Sequence, residues 1–151
     1  MILADVFDKR LIKLNLEGTD KATVFEELVG AISTVKPELN SEKMLLALHE
    51  REAKMDTSVA PGIAIPHGYF HDLKGIIGAL GFSPNGIDYG APDEEPVHLV
   101  VMLLLGEGEH ERHLKVLSQV LTLIQSGALS QIRNFPSPQT VYDILCSTGS
   151  F

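Results

Sequence analysis

The sequence predicts an α/β fold, a single layered domain over residues 1–151 in which a mixed β-sheet is flanked by helices on both faces. Three observations carry that expectation. Apolar residues recur at helical spacing in segments early and late in the chain. Short apolar extended stretches, bounded by Pro and Gly, stand between those segments. The most apolar run, Val97–Leu105, fits a strand covered on both sides, which places it at the centre of the sheet.

The elements follow in order. Asp20 to Val35 carries Val24, Phe25, Leu28, Val29 and Ile32 on one helical face, with Thr19 or Asp20 available as N-cap. A second helix is expected from Ser41 as cap, through Met44, Leu45 and Leu48, so that its C-terminal end delivers Arg51. Gly62-Ile63-Ala64-Ile65-Pro66-His67-Gly68 reads as a short strand stopped at a turn by Pro and Gly. Gly75 to Phe82 is a second strand, and Ser83-Pro84-Asn85-Gly86 behind it has turn chemistry. Beyond Val97–Leu105, Glu109 to Gln125 places Leu114, Leu117, Val120, Leu121 and Ile124 on one helical stripe after an acidic start that suits the helix dipole. Ser137-Pro138 opens a last helix through Val141, Ile144 and Leu145, with Cys146 expected to pack on its apolar face.

Composition narrows the function. The formal net charge of -8 repels nucleic-acid phosphates and anionic lipid, so neither is an expected partner. No apolar run approaches the ~20 residues that cross a bilayer. The single cysteine, Cys146, has no internal disulfide partner, and no signal-peptide pattern opens the chain, which points to the cytoplasm. The nucleophile-elbow, phosphate-loop and dinucleotide-turn motifs are all missing.

The histidines carry the candidate chemistry. His67 sits between a proline that stiffens the backbone and a glycine that removes bulk, so its ring can be held firmly and still meet a large partner. A neutral imidazole is a competent nucleophile near neutral pH, and the Gly68 amide could help cradle phosphate oxygens. The alternative is a turn histidine with no task. His113 falls at the edge of a buried helical stripe, either as a half-buried packing residue or with one ring nitrogen anchored and the other facing a cleft as a donor to phosphoryl oxygens. Arg51 could clamp phosphate, or pair with Glu50, Glu52 or Asp56 on the surface. Thr57 could add a hydroxyl to the same pocket, or be an ordinary loop residue. A metal hydrolase is the rival chemistry, since His67/His71 and His110/His113 have ligand-like spacings. Pro66 and Gly68 spoil the first pair, and no HExxH motif or thiolate cluster accompanies the second. No metal or cofactor is therefore expected, and His49, His71, His98 and His110 are read as surface or packing residues.

At these residues the chain resembles the type 2 IIA family of the sugar phosphotransferase system, which includes fructose, mannitol and nitrogen-regulatory members. Glu52, Val59, Ala60, Ile63, Ala64, Ile65, Pro66, His67 and Gly68 meet every position of the family signature. Arg51-Glu52 with Thr57, the stretch Asp88 to Val100, and His113-Leu114-Lys115-Val116-Leu117 look like the same family. The resemblance implies that His67 is phosphorylated by the histidine phosphocarrier protein and passes the group to a IIB component, with His113 as second active-site histidine and Arg51 in the same pocket. It equally implies a regulatory variant in which the phosphorylation state of His67 controls binding to a target. Tyr69-Phe70-His71 departs from the small or basic residues common after the histidine-glycine pair, and gives the site an aromatic rim.

Overall fold

The computed structural model describes residues 1–151. A short 3-10 turn at Leu3–Asp5 leads into strand β1 (Phe7–Lys13), followed by helices α1 (Lys21–Val35) and α2 (Ser41–Lys54). Three short strands come next, β2 (Ser58–Ala60), β3 (Ile63–Ala64) and β4 (His67–Tyr69), then the long strands β5 (Ile76–Ile87) and β6 (Val97–Leu105). Helix α3 (His110–Gln125), a 3-10 turn at Ile132–Asn134 and helix α4 (Pro138–Cys146) complete the chain.

The sheet runs β1-β5-β6-β3-β2, with β4 also paired to β6. It is mixed: β1 is parallel to β5, β5 antiparallel to β6, β3 and β4 parallel to β6, and β2 antiparallel to β3. Strand β6 is central, and every residue in it except His98 is buried. Its alternating side chains serve two cores. Val100, Met102 and Leu104 pack with Phe25, Leu28, Ile32, Met44 and Leu48 from α1 and α2. Leu99, Val101, Leu103 and Leu105 pack with Val116, Val120, Val141 and Leu145 from α3 and α4. Apolar residues at every position are what burial on both faces demands.

Strands β3 and β4 form one interrupted line along the edge of β6. Ile63 faces Leu99 and His67 faces Leu103, the same register on both sides of Ile65-Pro66. Pro66 has no N–H to give, but its carbonyl accepts from the Leu103 N–H at 2.9 Å, so the line is broken without being lost.

Five local expectations change. Strand β1 is absent from the sequence reading because Asp8-Lys9-Arg10 breaks its apolar alternation, at the register shift between Phe7 and Ile12. Such charges suit a sheet-edge strand, which must avoid pairing with other chains. The cap of α2 is Asn40, whose side chain accepts from the Lys43 N–H at 3.0 Å, and Ser41 is the first helical residue. Ser83 to Gly86 do not end β5 but lie within it as a register irregularity, where Gly86 takes φ of 88°. On α3 the buried residues are His113, Val116, Val120 and Leu123, while Leu114 is 69% exposed. The packed stripe is rotated from the expected one, and Leu117 and Ile124 flank it. Cys146 is likewise exposed rather than packed.

Candidate active site

His67 opens β4 directly after the Ile65-Pro66 break. Its Nδ1 lies 2.8 Å from the Ile65 carbonyl oxygen. A carbonyl only accepts, so Nδ1 carries the proton and the lone pair of the neutral ring is on Nε2. The Ile65 peptide is held in turn, because its N–H donates to the Thr57 carbonyl at 3.0 Å. Thr57 is anchored on Glu52 of α2: its N–H donates to Oε1 at 3.1 Å and its hydroxyl to Oε2 at 2.7 Å. A line of hydrogen bonds thus runs from the C-terminal end of α2 to the imidazole.

The anchor is itself neutralised. Lys21, the first residue of α1, lies 3.1 Å from Glu52 and 3.2 Å from Asp56, with its ammonium 4.4 Å from the centre of the Tyr89 ring. The Tyr89 hydroxyl stands 2.9 Å from the Thr57 oxygen, and burial pushes the phenol well above its ordinary pKa. Glu52, Thr57 and Tyr89 are all buried, so an unmatched charge among them would be costly. Asp56 receives the Ser58 N–H at 2.7 Å and the Ser58 hydroxyl, which closes the loop into β2.

His113, in the first turn of α3, brings its ring to 5.6 Å from that of His67, edge to face. It is 7% exposed. The Tyr69 hydroxyl lies 3.2 Å from its Nδ1, while Nε2 is buried with no hydrogen-bond partner. Burial pushes the His113 pKa down to about 4, helped by His67, His110 and the Arg51 charge. Burial also lowers the pKa of His67, as does Arg51, against the Ile65 carbonyl and Glu52, which favour the charged ring. Both imidazoles are therefore neutral near pH 7. Arg51 donates to the Met55 carbonyl at 2.9 Å, and the carboxylates expected to claim it, Glu52 and Asp56, pair with Lys21 instead. Its cation stays available to the two histidines.

His67 and His113 are accordingly brought together, and both rings feel the Arg51 charge. Thr57 and Gly68 are placed differently from the sequence expectation. The Thr57 hydroxyl is buried and already donated to Glu52, so it has no proton left for a phosphate. Gly68 is buried under α2, where an added Cβ would stand 2.8 Å from the Ala47 carbonyl oxygen. The glycine lets α2 lie close against β4, and with it Arg51 and Glu52. No three His, Cys, Asp or Glu side chains come together in a set able to hold a metal ion.

Sequence reasoning missed Lys21 and Tyr89, and for Tyr69 and His110 it missed the contacts they make with His113. For Tyr69 a signal existed, since positions two apart on a strand share a face and Tyr69 is two beyond His67. For His110 it was the three-residue spacing to His113, weighed as a ligand pair and then read as surface or packing. Lys21 and Tyr89 carry no local signal.

The arrangement presents a neutral nitrogen nucleophile beside an unpartnered buried ring nitrogen and an available guanidinium, which suits an incoming group rich in negative oxygen. Comparison with known proteins gives the family. The family model described as phosphoenolpyruvate-dependent sugar phosphotransferase system, EIIA 2, matches residues 5–147. The chain belongs to this type 2 IIA family. Among curated type 2 IIA relatives, the fructose-specific EIIABC component of Bacillus subtilis is 31% identical over 96% of this chain, which spans 23% of that longer protein. The crystal structure of the nitrogen regulatory protein IIA-Ntr from Neisseria meningitidis superposes with a TM-score of 0.86 at 27% identity, covering 94% of this chain and 97% of that one. The mannitol IIA of Escherichia coli, solved in complex with phosphorylated mannitol IIB, shares the fold with a TM-score of 0.75 at 16% identity, covering 93% and 98% of the two chains. The IIA fold, a mixed sheet with helices on both faces, is as the sequence predicts. No helix in it is long and apolar enough to cross a membrane.

Proposed function

We propose that this chain is a phosphocarrier: His67 Nε2 accepts a phosphoryl group from the phosphohistidine of the histidine phosphocarrier protein and passes it to a IIB component. The observation that carries this reading is the Nδ1–H bond to the Ile65 carbonyl, which leaves Nε2 as the nucleophile beside His113 and Arg51. The Nε2 lone pair forms the new P–N bond as the donor's P–N bond breaks, and that bond's electron pair returns to the donor imidazole. Positive charge then builds on the His67 ring. The Ile65 carbonyl, already receiving the Nδ1 proton, strengthens its hold as that happens.

The phosphoryl oxygens gather negative charge in the loose transition state, and the groups present to meet it are the Arg51 guanidinium and His113. The transfer is between two similar nitrogens, so the protein supplies alignment and electrostatic support rather than driving force. No metal or cofactor enters this scheme, because the cation and donors come from side chains.

A second reading rests on the likeness to the nitrogen-regulatory structure. Phosphorylation of His67 adds close to two negative charges at a half-buried site. In a regulatory member that charge would switch binding to a target protein, with no IIB acceptor required.

The test is incubation with phosphoenolpyruvate, enzyme I and the histidine phosphocarrier protein, read by intact mass. Wild type is expected to gain one acid-labile phosphoryl group, and His67→Ala none. Undiminished labelling of His67→Ala would reject the assignment. Onward transfer to a IIB protein separates the carrier from the regulator.

A further inference from the structure

Tyr69 stands outside the family signature, yet its hydroxyl reaches both histidines of α3: 3.2 Å to Nδ1 of His113 and 3.5 Å to Nδ1 of His110. Its ring meets each of theirs at 5.5 Å between centres. A phenol has one proton to donate and lone pairs to receive. It is also a better donor than acceptor, and its proton is assigned to the shorter contact, with His113. The arrangement that follows is His110 Nδ1–H to the Tyr69 oxygen, and Tyr69 O–H to His113 Nδ1.

In that arrangement His113 has a single tautomer. With Nδ1 accepting, the proton of the neutral ring is on Nε2, the buried nitrogen that has no partner within the protein. An unpartnered buried N–H is costly, so a folded chain keeps one where something else is to bind it.

We propose that Tyr69 is a positioning residue for phosphoryl transfer, holding His113 as the Nε2–H tautomer so that it meets the phosphoryl oxygens with a donor instead of a lone pair. The inference rests on the phosphocarrier reading and adds to it the residue that sets which face of the second histidine the phosphoryl group sees. Because burial keeps His113 neutral down to about pH 4, a second ring proton cannot supply the donor in its place. Without Tyr69 the two tautomers of a neutral imidazole lie close in energy, and a lone pair would face the incoming charge in part of the population. The position suits the task, since β4 presents both His67 and Tyr69 and fixes the tyrosine relative to the nucleophile.

The experiment has two arms, both using Tyr69→Phe, which keeps the ring at a half-exposed position and removes only the hydroxyl. First, imidazole nitrogen chemical shifts of the unphosphorylated protein read the tautomer directly. Wild-type His113 is expected to show a bare Nδ1 and a protonated Nε2, and the variant shifts averaged toward a mixture. Second, phosphoryl transfer from the phosphocarrier is expected to slow roughly tenfold in kcat, with KM for the phosphocarrier changed less than twofold, as befits an effect on the transition state rather than on docking. A wild-type His113 protonated on Nδ1, or a variant with unchanged shifts and unchanged kcat, would overturn the proposal. The first arm needs no phosphoryl group, so the failure of His67 labelling and the failure of the tautomer assignment are separate results.

Discussion

His67 owes its protonation state to three features of its surroundings. The Ile65 carbonyl fixes the proton on Nδ1, burial beside β6 discourages a second proton, and the Arg51 charge adds to that discouragement. His113 has the complementary environment, anchored at one nitrogen and unpartnered at the other. For His113→Ala we expect labelling of His67 to persist while transfer slows roughly ten- to a thousandfold, the range for losing one stabilising donor. Wild-type rates in rapid-quench transfer experiments would remove His113 from the mechanism. Thr57 gives a sharper contrast between sequence and structure. Thr57→Val strips two buried groups, Glu52 and Tyr89, of a hydrogen bond. The expected cost is about 2–3 kcal/mol, hence a fall in Tm of roughly 5–10 °C for a chain of this size, with His67 still labelled. A folded Thr57→Val protein that cannot be labelled would return Thr57 to the phosphate-binding role its position in the sequence suggested.

Among the elements, the broken line of β3 and β4 does the placing. The Ile65 carbonyl, beside the interruption at Pro66, holds the imidazole, while the Pro66 carbonyl keeps the bond to β6. Helix α2 supplies Arg51 and Glu52 from its last turns and reaches β4 because Gly68 leaves room. Helix α3 shows how a correct helix can be given the wrong face. Its leucines and valines support more than one stripe at helical spacing, and only packing against β6 selects the one through Val116, Val120 and Leu123. Val116→Ala should therefore cost about 1–3 kcal/mol in urea unfolding, whereas Leu114→Ala should stay within about 0.5 kcal/mol. Equal costs would restore the stripe expected from the sequence.

The molecule as a whole joins two cores through one strand and carries a half-buried His67 and a buried His113, which links stability to acidity. An unfolded imidazole titrates near 6.5, while His113 in the folded protein titrates at about 4 and His67 is also lowered. Between these values the unfolded chain binds more protons than the folded one. The histidine contribution is thus fully present above about pH 6.5 and is lost as pH falls through the folded values. Carboxylates act lower: Asp8 is held at about 2 by Arg10, so its share is lost only below its ordinary value of 3.8. We expect Tm to decline between pH 6.5 and 4, with a shallower decline in His113→Gln, measured by thermal melts across that range. Parallel curves would show that His113 is not excluded from protonation in the folded protein.

Much of the site was legible in the chain because its chemistry is local. Pro66-His67-Gly68 stands in consecutive residues, Arg51 and Glu52 end a helix whose apolar spacing is plain, and Val97–Leu105 announces a doubly covered strand. The expected helix at Glu109 to Gln125 also formed where periodicity placed it. Contacts between residues far apart were not legible. Lys21, Glu52, Thr57 and Tyr89 meet across three segments, Tyr69 reaches two histidines on α3, and β1 hides its pairing behind a charged triplet. Side-chain spacing records which residues share an element's face. Only the packing of elements against one another establishes where a hydroxyl proton goes, which nitrogen is left bare, and which arginine keeps its charge free.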